Sequence, residues 1–83
     1  VIVDLRRLNR IREINPGDRY VVAEAGCTWE TLYAALPKDW VLETHAPLSG
    51  NYSTVGGALA HGYPSGLKGV LGVEVVRASG EVL

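Results

Sequence analysis

Neither methionine nor phenylalanine occurs among the 83 residues, and cysteine occurs once. A single thiol, Cys27, excludes an intramolecular disulfide framework and a cysteine-rich zinc site. No apolar run approaches the roughly 20 residues that cross a bilayer. No charged-then-apolar leader resembles a signal peptide. At a net charge of −1, the chain lacks the basic excess that marks a nucleic-acid binder. These absences leave the cytoplasm as the default compartment, with no nucleic acid and no membrane span expected.

Charge is also missing locally. From Thr44 to Val73 the one formally charged Lys, Arg, Asp or Glu is Lys68, and seven of the ten glycines fall between Gly50 and Gly72. Within that stretch Ser49-Gly50-Asn51-Tyr52-Ser53-Thr54-Val55-Gly56-Gly57-Ala58-Leu59-Ala60-His61-Gly62 combines hydroxyls, paired glycines and small side chains. Glycine lets a backbone approach a bulky ligand closely. Ser53 or Thr54 is placed to cap a short helix over Val55–Ala60, and its N–H groups would face outward as an uncharged phosphate site. A Gly-rich turn leading into a packed helix has the same composition. Composition alone leaves both readings open.

Elsewhere the pattern is that of one small domain. Its 47% hydrophobic content supplies a core and argues against disorder. Val1–Leu5 reads as a strand, followed by an arginine-rich turn. Ile11–Ile14 and Tyr20–Ala25 flank Asn15-Pro16-Gly17-Asp18, which predicts a hairpin. Val21, Ala23 and Ala25 share one face of its second strand. Thr28 caps a helix on which Trp29, Leu32, Tyr33 and Leu36 form an apolar stripe, and Pro37 stops it. Trp40–Leu42 is a short apolar segment. Gly72–Arg77 reads as a strand, and Ala78-Ser79-Gly80 as a tight turn into Glu81–Leu83. The order lacks regular βαβ alternation. It predicts an α+β fold, a small and mostly antiparallel sheet with helices on one face. Both ends read as cut through secondary structure, so residues 1–83 are expected to be a piece of a longer protein.

The remaining candidate chemistry is modest. Five of the eight basic residues lie between Arg6 and Arg19, but Asp4, Glu13 and Asp18 interleave with them, as on a solvated face. Cys27 precedes a helix cap, a position that lowers a thiol pKa; a small core residue is the favoured reading. His45 and His61 have no carboxylate between them, a poor metal pair. His61 either donates a hydrogen bond to a ligand or caps the helix before Gly62. Ser49, Ser53 and Thr54 lack the setting of a nucleophile elbow, and no dinucleotide fingerprint precedes a distal acid.

Four blocks in order carry a resemblance: Asp4-Leu5 with Leu8-Asn9; Ala25-Gly26-Cys27-Thr28-Trp29 with Leu32; Pro47-Leu48-Ser49-Gly50 with Ser53-Thr54-Val55-Gly56-Gly57; and Leu71-Gly72-Val73-Glu74-Val75-Val76 with Gly80-Glu81-Val82. Together they resemble the FAD-binding domain of FAD-linked oxidases, the vanillyl-alcohol oxidase type fold. Most similar is the group that holds glycolate oxidase and D-lactate dehydrogenase.

The resemblance implies the second lobe of a two-lobed flavin domain, with FAD as cofactor. It implies that Pro47, Leu48, Ser49, Gly50, Thr54, Val55, Gly56 and Gly57 wrap the pyrophosphate and isoalloxazine edge. Ala60, His61 and Gly62 continue along the cofactor, and Val70 meets the adenine side. It further implies a preceding lobe, a following cap domain that supplies the catalytic residues, and a 2-hydroxy acid such as glycolate or D-lactate as substrate. No catalytic residue and no metal ligand is assigned within the chain. A flavin-free domain of the same fold, a sugar oxidase and a cell-wall precursor reductase are the alternatives. Three features depart from the family: its upstream Gly-rich pyrophosphate loop is absent from these residues, relatives carry Thr-Asn-Ala-Gly-Gly where this chain has His61-Gly62-Tyr63-Pro64-Ser65, and the Gly57–Leu71 excursion is shorter.

Overall fold

The computed structural model describes residues 2–42, 53–61 and 69–83. Two strands, β1 (Ile11–Asn15) and β2 (Tyr20–Ala23), precede two helices, α1 (Trp29–Ala35) and α2 (Val55–His61). The arrangement is α+β, as the sequence pattern predicts.

The hairpin forms where the turn chemistry places it. Its strands run antiparallel, pairing Ile11 with Ala23, Glu13 with Val22, Ile14 with Val21 and Asn15 with Tyr20. A register shift between Ile11 and Glu13 leaves Arg12 as the bulged residue. Asn15 organises the turn. Its Oδ1 accepts the Asp18 N–H at 2.9 Å, and its Nδ2 donates to the Tyr20 hydroxyl at 3.2 Å. Arg19, at φ 57°, takes the left-handed conformation before β2. The Tyr20 phenol is pushed above its ordinary range, chiefly by its hydrogen bond to Glu13.

α1 starts at Thr28, whose hydroxyl accepts the Thr31 N–H at 3.2 Å. Glu30 in the first turn complements the positive end of the helix dipole. Leu36, just before Pro37, is the C-cap. The core is Cys27, Trp29, Leu32 and Ala58, joined by partly buried Ile11, Val21, Ala23, Leu36, Leu42 and Val55. One face of the hairpin thus meets both helices. Each large side chain buried there contributes about 1.5–3 kcal/mol relative to exposure. Tyr33, the outermost residue of the predicted stripe, is 41% exposed, with its ring 6.5 Å from that of Trp29.

Two expected strands differ. Ile2–Leu5 has no ladder partner among the described residues, and β-branched propensity alone does not make a strand. Instead the chain turns, with the Leu8 N–H donating to the Leu5 carbonyl at 2.9 Å. Gly72–Arg77 is reduced to a minimal hairpin: Val75 and Leu83 exchange hydrogen bonds at 3.1 and 2.8 Å, and Arg77 donates to the Glu81 carbonyl at 2.8 Å. The expected tight turn lies between them, with Gly80 at φ 89°. Residues 69–83 are all exposed, so no core contact extends this ladder.

Candidate functional site

Two backbone junctions build the region around α2. Thr28 and Thr54 form an antiparallel bridge: the Trp29 N–H donates to the Ser53 carbonyl at 3.2 Å, and the Val55 N–H to the Cys27 carbonyl at 2.9 Å. One residue further along, the Gly56 N–H donates to the Ala25 carbonyl at 2.9 Å. The Gly57 N–H donates to Thr54 Oγ1 at 3.1 Å. All three leading N–H groups of α2 are therefore committed within the chain. This corrects the expectation of free N–H groups facing a phosphate; helix starts need partners, and here carbonyls of residues 25 and 27 provide them.

Gly56 and Gly57 face different surroundings. A Cβ on Gly56 would stand 2.7 Å from Ala25 Cβ and 2.9 Å from its carbonyl oxygen. A Cβ on Gly57 would meet Thr54 Oγ1 at 3.0 Å and no other described atom within 4 Å. Gly57, Ala60 and His61 are exposed and fall at i, i+3 and i+4, so they share the outward face of α2. Ala58 points the opposite way into the core. Thr54 and Val55 are half-buried, and Val55 packs on the core cluster. Val70 is exposed. Pro47, Leu48, Ser49, Gly50, Gly62 and His45 lie outside the described residues.

Sequence reasoning missed the turn at Ala25–Gly26 as the seat of this region. Gly26 is buried, and a Cβ there would stand 2.1 Å from the Leu5 carbonyl oxygen and 2.6 Å from that of Leu8. Two adjacent small residues at a strand end were the available signal. Ile2, Val3, Asp4, Leu5, Arg6, Gly26 and Thr54 line an open groove beside α2. On its lip, Arg6 Nε contacts both Asp4 carboxylate oxygens at 3.0 and 2.9 Å, and Nη2 adds a contact at 2.6 Å. This pairing holds the Asp4 carboxyl below its ordinary range.

Cys27 is fully buried. Desolvation, assisted by the charge of Glu24, pushes its thiol up, which fits a core residue and opposes a reactive thiolate. Among the described residues, no cluster of three or more His, Cys, Asp or Glu side chains is arranged to hold a metal ion. No described helix is long and apolar enough to cross a membrane.

The described residues thus form an α+β unit whose second helix turns Gly57, Ala60 and His61 outward. The family model described as the FAD binding domain matches residues 1–83, and the chain belongs to that family. Membership makes FAD the cofactor and places the chain among the flavin-dependent oxidoreductases. No curated protein and no solved structure matches it.

Proposed function

We propose that the outward face of α2, Gly57, Ala60 and His61, lies along FAD in a flavoprotein that oxidises a 2-hydroxy acid such as glycolate or D-lactate. Thr54, Val55 and Gly56 hold that face in place, and Pro47–Gly50, Gly62 and Val70 complete the cofactor contacts. A preceding lobe encloses the other side of the cofactor, and a following cap domain brings the substrate. When bound, FAD supplies the acceptor for the substrate's hydride; the protein orients it and tunes its electronics.

The observation that carries this reading is the exposure of Gly57, Ala60 and His61 together on one helix face. The small residues Gly57 and Ala60 allow a flat, large ligand to lie against the helix, while Val55 and Ala58 turn to the core. FAD titration followed by flavin fluorescence tests it. Wild-type protein is expected to take up FAD, and Gly57→Val to lose it while far-UV circular dichroism stays near wild type. Equal loss of folding and binding in Gly57→Val assigns Gly57 a structural role. A colourless protein that takes up no FAD overturns the reading.

One observation favours a second reading, a domain of this fold without flavin. The N–H groups of Val55, Gly56 and Gly57 are already satisfied by the chain, so α2 offers none of them to a pyrophosphate. On that reading Gly57→Val leaves every property other than stability unchanged.

A further inference from the structure

We propose that Gly56 is a positioning residue for FAD, acting through Ala25 and not by touching the cofactor; this rests on the reading of the outward α2 face given above. Consecutive helical residues point about 100° apart, and the paired glycines divide accordingly. Gly57 looks outward, while Gly56 looks at the turn beneath the helix.

The contact at Gly56 leaves no room to adjust. Its absent Cβ would sit 2.7 Å from Ala25 Cβ, 2.9 Å from the Ala25 carbonyl oxygen and 3.1 Å from Ala25 Cα. Two of those atoms are backbone and cannot swing aside as a flexible side chain does. The 2.9 Å hydrogen bond from Gly56 N to Ala25 O pins the same two backbones together. The neighbouring Gly26 leaves the turn little slack, because the carbonyl oxygens of Leu5 and Leu8 fill the space a Cβ there would need. A methyl at residue 56 must therefore be accommodated by moving α2 outward. Gly57, Ala60 and His61 move with it. Gly56 thus sets the distance between the FAD-facing surface and the body of the domain.

The test titrates FAD into the protein that carries both lobes of the flavin domain, as wild type, Ala25→Gly, Gly56→Ala and the double variant. Flavin fluorescence and visible circular dichroism report the cofactor; urea denaturation reports the folded fraction. Gly56→Ala is expected to lose about 10- to 100-fold in FAD affinity per folded molecule, roughly 1.4–2.8 kcal/mol, and to change the flavin dichroism. The double variant is expected to recover part of that loss, since Ala25→Gly removes the nearest of the three atoms. If Gly56→Ala alone fails to fold, the double variant is compared with Ala25→Gly, and weaker FAD binding is expected. Wild-type affinity and dichroism in folded Gly56→Ala, or equal binding by Ala25→Gly and the double variant, overturn the positioning role alone. A wild-type chain that binds no FAD overturns the reading of the face and this proposal with it.

Discussion

Thr28 and Thr54 stand opposite each other in an antiparallel bridge, and a helix starts immediately after each of them. Each hydroxyl accepts an N–H three residues on, Thr31 for the first and Gly57 for the second. The two helix starts are thereby cross-linked through backbone, with Trp29 bonded to Ser53 and Val55 to Cys27. Capping threonines replaced by alanine typically cost about 1 kcal/mol. Thr28→Ala and Thr54→Ala are each expected to destabilise by about that amount. Because the residues are in contact, the double variant should depart from additivity by about 0.5 kcal/mol or more. Urea denaturation of the four proteins in the cycle measures the departure; strict additivity means the bridge does not couple the helices.

The glycines predict opposite outcomes for one substitution. Gly26→Ala places a methyl against two backbone carbonyl oxygens, Leu5 and Leu8, which no side-chain rotation relieves. Its cost is expected at or above the upper end of the roughly 1–3 kcal/mol that overpacking carries. Gly72→Ala meets no described atom within 4 Å and is not in a left-handed conformation. It should be neutral or stabilise by about 0.4–1 kcal/mol through the unfolded chain. Thermal melting of both variants separates the two cases.

Cys27 gives stability a dependence on alkaline pH. The folded thiol is held protonated by desolvation and by the Glu24 charge, so the unfolded chain ionises first. The group's folded pKa is raised, and its contribution is complete below the ordinary value of 9.0 and lost as pH rises beyond it. The urea midpoint of wild type is expected to fall above pH 9 more steeply than that of Cys27→Ala, which lacks the thiol. Thiol labelling of folded protein should likewise be slow and track unfolding. Rapid stoichiometric labelling under native conditions contradicts the burial on which this rests.

Local chemistry made much of this fold legible. Asn15-Pro16-Gly17-Asp18 announces the hairpin, Thr28 and Pro37 bracket α1, and the Ser53-Thr54 pair announces α2. Strand pairing was less legible, because Ile2–Leu5 and Gly72–Arg77 have strand composition while the ladder depends on a partner that composition does not name. Glycine roles were the hardest to read. Gly56 and Gly57 are adjacent and identical, and a close approach to a ligand looks in sequence like a close approach to Ala25. Only the direction in which each missing Cβ points distinguishes them, and that follows from how α2 sits on the 25–27 turn.

His61 closes the outward face of α2 and lies in its last turn. Two roles lead to different consequences for His61→Thr. If the imidazole donates to FAD, its removal forfeits one hydrogen bond, about 0.5–1.5 kcal/mol and so roughly a two- to twelvefold loss of affinity. A lost donor near the ring also leaves the electron-rich reduced flavin less stabilised, so the midpoint potential falls. Global stability should then change little, since an exposed surface substitution stays within about 0.5 kcal/mol. If His61 serves only the helix terminus, the substitution alters stability by up to about 1 kcal/mol and leaves affinity and potential where they were. We expect the first pattern, because His61 is exposed on the same face as Gly57 and Ala60. FAD titration, redox titration at one fixed pH and urea denaturation of the two proteins decide between them, and an unchanged potential with an altered urea midpoint assigns His61 to the helix end.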